Sequence, residues 1–291
     1  MVLWSTGYIG SKAGAPFAEP FTFLSIRFGL VAALLALAWP WLRPDRISAR
    51  DWVIAGSTGA LVHGIYLGAV FWAIDAGLPA GVAAVIVCLQ PLLTAVMSGL
   101  FLGERVPFRS WLGLIAGLGG TVLVVIENTM SGIAGFSPLA LLVCAVSLFA
   151  ITAGTLLQKA YATQIDFRAA LLPQYLGALA VTAAAALTLE TGDVTWSPTF
   201  IFALAWLVLV LSIGAISLLF IMIEQNAVWR TAALFYLVPA TTALMGWVLF
   251  GETLSPLQLM GLVIVSGAVL VARSTSADTS GNRSGETRTV R

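Results

Sequence analysis

Pro91-Leu-Leu-Thr-Ala-Val-Met-Ser-Gly-Leu-Phe-Leu-Gly103-Glu104 and Pro239-Ala-Thr-Thr-Ala-Leu-Met-Gly-Trp-Val-Leu-Phe-Gly251-Glu252 are two copies of one element. Their Pro, Thr, Ala, Met, Gly and Glu all lie 148 residues apart, from 91 to 239 and from 104 to 252. The register continues downstream, where Gly113 meets Gly261, Leu114 meets Leu262 and Gly119 meets Gly267. The chain is therefore read as a duplication. A duplicated bundle of apolar helices is a common plan among secondary transporters.

Composition fixes the solvent. Of 291 residues, 59% are hydrophobic and 9% charged, against about 25% charged in soluble domains. A soluble fold of this length could not bury so much apolar surface, so the bilayer must be its surroundings. The net charge of +1 gives no sign of nucleic-acid binding. Cys88 and Cys144 lie within apolar runs and read as small core residues, not as a disulfide framework. The first apolar run has no basic segment before it, so no cleavable signal peptide is expected.

A membrane helix needs about 20 apolar residues. Ten such spans are expected, at 1–14, 20–41, 52–74, 80–102, 109–127, 137–159, 168–189, 199–222, 228–250 and 256–273. They are too long for barrel strands. The fold class is thus an all-α membrane protein with ten transmembrane helices, arranged as two inverted five-helix repeats around a central cavity. Residues 1–128 form the first repeat and 129–273 the second. The Ser/Thr/Gly-rich tail, 274–291, is expected to be disordered. Span 1 is shorter than its counterpart, as if about ten residues were missing before Met1. A trimmed chain or a misassigned start codon would account for that.

An odd number of spans per repeat forces the halves to insert in opposite directions. If all loops after even-numbered spans share one side, that side collects twelve of the fourteen Lys and Arg. By the positive-inside rule it is the cytoplasm, and both termini lie there. The duplicated motif agrees. Gly103-Glu104 is followed by Arg105 and Arg109, Gly251-Glu252 by Thr253 and Leu257.

The two basic exceptions are Lys12 and Arg27. Lys12 precedes Glu19 by seven residues, and Lys159 precedes Asp166 by seven. Each pair reads as a salt bridge tying a helix hairpin, or as a gate that opens and closes. Arg27 lies about 12 Å into span 2. A cation there either snorkels to the outer interface or is paired or hydrated inside the bundle. The repeat places Gln174 at the equivalent position.

Inside the spans, His63 is the only histidine, with Tyr66 one turn on. A mid-membrane imidazole is either satisfied by a neighbouring helix or lines a cavity. Gln90 precedes Pro91 in mid-span. Pro91 and Pro239 free the carbonyls of Val87 and Phe235, by way of a packing kink or a hinge that contacts a ligand. Trp4, Tyr8, Gln158, Tyr175, Trp206, Ser212 and Tyr236 lie at similar depth. Trp52, Trp111, Trp196 and Trp247 read as interfacial belt residues. Gly113-Leu-Ile-Ala-Gly117 favours close helix packing, within the bundle or between subunits.

All thirteen acids fall in or beside loops or the tail. Without a central carboxylate, the chain is either a facilitator or couples protons through His63. No nucleotide-binding motif is present, and no hydrolytic or metal constellation. No cofactor, catalytic residue or metal ligand is expected.

The ten spans, the two halves and the Pro-x11-Gly-Glu element resemble the EamA repeat of the drug/metabolite transporter superfamily. So do Trp4-Ser-Thr-Gly-Tyr-Ile-Gly-Ser-Lys12, Glu19-Pro20 and Arg27-Phe28. The resemblance covers residues 1 to about 273. It implies ten helices around a central cavity, export of small metabolites, and a bacterial inner membrane. One branch, the YddG-type exporters, moves aromatic and other neutral amino acids. The chain lacks the span-1 glutamate of the small multidrug-resistance relatives, which argues against quaternary-cation antiport.

Together these readings give an exporter of small metabolites, amino acids including aromatic ones among them, working by alternating access. Its partners are its cargo and the lipid bilayer, with no nucleic acid; the oligomeric state is left open. Cargo is expected to touch His63, Tyr66 and Gln90 from the first half and Trp206, Ser212 and Tyr236 from the second. The alternatives are a membrane-embedded enzyme acting on lipid-linked substrates, with Glu104, Arg105 and Arg109 as its nearest cluster, an exporter of other metabolites or drugs, and a non-transporting scaffold.

Overall fold

The computed structural model of the protein describes residues 2–42, 44–130, 137–161, 164–250 and 254–274, without the side chains of 8, 9, 126–130, 220, 246, 249, 250 and 272–274. The second Gly-Glu, Gly251-Glu252, the side chain of Tyr8 and the tail beyond Ser274 lie outside these residues.

Ten helical stretches are present among the described residues. They are α1 (Val2–Gly14), α2 (Pro20–Leu42), α3 (Ala49–Asp75), α4 (Ala80–Leu102), α5 (Phe108–Met130), α6 (Pro138–Ala160), α7 (Phe167–Leu189), α8 (Pro198–Gln225), α9 (228–250) and α10 (Pro256–Ser274). Seven, α2 through α8, are long and apolar enough to cross a membrane. Their ends follow local chemistry. Ser48 and Asp51 form a capping box at the start of α3. Ser137 and Ser197 cap α6 and α8 with a proline at the first helical position. Gly103 stops α4 in the left-handed region, at φ 66°, which explains why the duplicated motif carries glycine there.

Four helices are irregular, and the irregularities repeat. α3 contains a π-helical segment at Ala60–Ile65, and α8 contains one at Leu207–Ala215. α4 breaks at Cys88 and Leu89, just before Gln90 and Pro91. α9 tightens into a 3-10 turn at Leu234–Tyr236, just before Pro239. Each member of a pair sits about 148 residues from the other. The breaks in α4 and α9 have a direct cause, because proline offers no N–H to the carbonyl four residues back. Before Pro91 the chain closes a tighter turn, with the Leu89 amide on the Ile86 carbonyl at 3.1 Å.

The helices pair across the two halves. α5 packs along α10, α2 along α7, and the end of α4 against the start of α9. α3 packs on α6 and α7, as α8 packs on α1 and α2. Small residues make the closest approaches. A Cβ on Gly59 of α3 would lie 2.0 Å from the carbonyl oxygen of Gln174, and one on Gly177 of α7 would lie 2.0 Å from that of Gly56. This contact sets α7 against the π segment of α3. Gly117, the second glycine of the GxxxG stretch, faces the Tyr236 ring, so that glycine serves packing within the bundle.

Candidate functional site

The two helix breaks meet. Pro91 and Pro239, with Val87 and Phe235 four residues before them, line one cavity of about 30 Å³. Gln90, Tyr236, Tyr66 and Trp4 complete its polar and aromatic wall, and the Trp4 ring stands edge-on to Phe235 at 5.2 Å. Two polar groups on this wall lack a partner: Gln90 Nε2 and the Tyr236 hydroxyl, on side chains 2% and 1% exposed. A buried polar group left unbonded costs about 1–3 kcal/mol. The volume has room for about two water molecules, so an organic solute could enter only if the helices move.

A second cluster lies between α2, α3, α7 and α8. Arg27 points inward, 4% exposed, and its Nε donates to Ser212 Oγ at 3.0 Å. The snorkelling reading of Arg27 is therefore corrected, since a hydroxyl inside the bundle holds the guanidinium. The Tyr175 hydroxyl donates to the Ser212 carbonyl. His63 stacks on the Tyr175 ring at 5.2 Å with planes 6° apart, and Phe28 packs against both. Ser212 and His63 belong to the two π segments.

The expected constellation is therefore divided. Tyr66, Gln90, Tyr236 and both prolines line the cavity. His63, Ser212 and Arg27 belong to the neighbouring cluster, and Gln174 is buried beside Tyr175 on α7. Trp206 is 37% exposed, stacks on Phe202, and donates its indole N–H to Thr6 at 3.0 Å. A wholly apolar helix gives the sequence no moment from which to orient that ring.

The charged pairs also find other partners. Glu19 accepts from the Thr191 amide and hydroxyl and from the Gly192 amide, at 2.8, 2.9 and 3.1 Å. The Thr191 hydroxyl is the main cause that holds the Glu19 carboxyl below its ordinary pKa, against a smaller opposing effect of desolvation. Nearby, Glu190 accepts the Phe21 and Thr22 amides at 2.7 and 2.6 Å and so caps α2. Asp166 pairs with Arg168 at 3.1 Å and accepts the Asp45 amide. Desolvation raises its pKa, but Arg168 and the two backbone amides outweigh it and leave the carboxyl below its ordinary value. Lys159 donates to the carbonyls of Ile223 and Glu224 at the end of α8, at 2.8 and 3.2 Å. Lys12 is exposed and has no hydrogen bond or ion pair among the described residues.

Sequence reading missed one role. Glu104 Oε1 accepts the amide of Val228 at 3.0 Å and caps the start of α9. The glutamate that closes the motif in one half thus holds a helix of the other. The only sequence signal was the Gly-Glu repetition itself, because its partner lies 124 residues on.

Comparison with known proteins agrees with this architecture. Residues 1–126 match the EamA-like transporter family. The chain is 26% identical to YedA, an uncharacterized inner membrane transporter of Escherichia coli K12, over 93% of this chain and 87% of that protein. It is 24% identical to a probable amino-acid metabolite efflux pump of the same organism, over 91% and 89%. A solved crystal structure matches the fold with a TM-score of 0.77 at 20% identity, covering 94% of this chain and 95% of that one. The chain is thus an apolar helical protein whose residues 1–126 match the EamA-like transporter family and which is similar to membrane transporters over nearly its whole length.

Proposed function

We propose that the protein is a secondary exporter of small metabolites, neutral amino acids including aromatic ones, working by alternating access of two inverted five-helix repeats. The observation that carries this reading is the cavity at the meeting of the two proline breaks. The unpartnered Gln90 amide and Tyr236 phenol, each able to donate and to accept, line it, with Trp4, Tyr66, Phe235 and Tyr236 as aromatic walls. A zwitterion needs both acceptors and donors, and an aromatic side chain gains from ring contacts. The likeness to an amino-acid metabolite efflux pump supports the cargo class.

The helix pairing supports the repeat. Shifting each helix by five maps α3 on α7 to α8 on α2, α3 on α6 to α8 on α1, and α4 on α6 to α9 on α1. The departures from that symmetry bear on mechanism. The end of α4 packs on the start of α9, and Lys159 grips the end of α8. No comparable contact joins the start of α4 to the end of α9 among the described residues, and Lys12 grips nothing there. This asymmetry supports a state closed on the Lys159 side. The charge bias supports a cytoplasmic location for that side and for both termini.

The enzyme reading gains no support, since Glu104 spends one carboxylate oxygen on a helix cap. The test is uptake of a labelled amino-acid panel into proteoliposomes, with and without a pH gradient. Saturable uptake of an aromatic amino acid is expected, and the gradient response separates a facilitator from a proton antiporter. No saturable uptake of any amino acid would overturn the cargo assignment.

A further inference from the structure

Arg27 is a cation without an anion. It is 4% exposed among apolar helices, and no Asp or Glu lies within ion-pair distance of it among the described residues. A guanidinium carries five N–H groups. Ser212 takes one, and the Phe28 ring lies 5.6 Å from the guanidinium carbon. A buried charge is normally paired, and an unpaired one inside a membrane protein marks a functional site.

The surroundings add polar groups but no anion among the described residues. The Ser212 carbonyl is already engaged by the Tyr175 hydroxyl. His63 Nε2 and Gln174 Nε2 have no partner, on side chains 4% and 1% exposed. The cluster also sits where the π segments of α3 and α8 come closest to α2 and α7, and π segments often mark functional sites. Tyr66, one turn beyond His63 on α3, lines the cavity, so the cluster and the cavity share a wall.

We propose that the Arg27 cluster binds a carboxylate, that of the transported molecule. In the state that admits cargo, the guanidinium pairs with the carboxylate through its free N–H groups. Ser212 fixes the orientation of the guanidinium, and the Gln174 amide and the His63 tautomer protonated at Nε2 supply further donors. That the carboxylate belongs to cargo rests on the export reading above; that the site selects an anion does not.

The test compares benzoate with benzamide, which share shape and differ in charge, as ligands of the full-length protein in detergent. Binding is read from the shift in melting temperature at constant ionic strength. Saturable stabilisation by benzoate, absent with benzamide, is expected. Arg27→Gln should weaken benzoate binding by roughly tenfold or more, the loss of a charge-assisted pair. Ser212→Ala, which keeps the charge but frees Nε, should weaken it by roughly a few-fold. Equal responses to benzoate and benzamide in the wild-type protein would overturn the proposal without recourse to any variant. So would an unchanged benzoate response in a folded Arg27→Gln protein, which would leave Arg27 as a structural tie between α2 and α8. A benzoate preference in a protein that transports no amino acid would contradict the cargo assignment and leave the anion site standing.

Discussion

Tyr236 separates stability from function at the level of one atom. Its hydroxyl is buried without a partner beside the cavity. Tyr236→Phe should therefore raise the melting temperature, by relieving a penalty of about 1–3 kcal/mol, while lowering the transport rate. A variant that is both less stable and unimpaired in transport would contradict that role. Glu19 makes the complementary case at the surface. Hydrogen bonds from Thr191 and Gly192 hold its carboxyl below the ordinary value. A depressed carboxyl contributes fully above its unfolded pKa, about 4.3, and its contribution is lost as pH falls through the depressed value. Exchange protection of the Thr191 and Gly192 amides, corrected for intrinsic rates, should thus persist at neutral pH and be lost only as pH falls through the depressed value of the carboxyl. At this scale the sequence was a partial guide. It marked Gln90, Tyr66 and Tyr236 by depth alone, and they converge. It could not place Trp206, whose neighbours on α8 are apolar on every side.

The helices show which irregularities are written in the sequence. The breaks in α4 and α9 were legible because proline leaves a chemical mark. The π segments were not, since Ala60–Ile65 and Leu207–Ala215 contain no proline. The first follows directly on Gly59, where α3 touches the backbone of α7, so its cause is tertiary. Gly59→Leu would drive a side chain into the Gln174 carbonyl and should destabilise the protein by about 1–3 kcal/mol. It should also separate His63 from Tyr175, and an unchanged melting temperature would refute the contact. The Glu104 cap is likewise tertiary. Glu104→Ala should cost about 1 kcal/mol and increase amide exchange at Val228, whereas Arg105→Ala should leave that amide unaffected.

For the molecule as a whole, composition and the spacing of apolar runs were enough to anticipate an all-helical chain of apolar helices, with helix ends within a few residues of those found among the described residues. The site emerges only when the two halves meet, because its walls come from positions far apart in the chain, such as Trp4, Gln90 and Tyr236. The central claim is that cargo passes through the cavity between the two proline breaks. Cys88 lines that cavity, and Cys144 is buried in a separate core beside Ala140. In a Cys144→Ala protein, Cys88 is thus the one thiol left. The most direct measurement is uptake of labelled phenylalanine by this protein in liposomes after N-ethylmaleimide treatment, with and without excess unlabelled phenylalanine during the treatment. The account predicts saturable uptake that the maleimide abolishes and that bound phenylalanine protects. Absence of saturable uptake, or inhibition that phenylalanine does not slow, would contradict it.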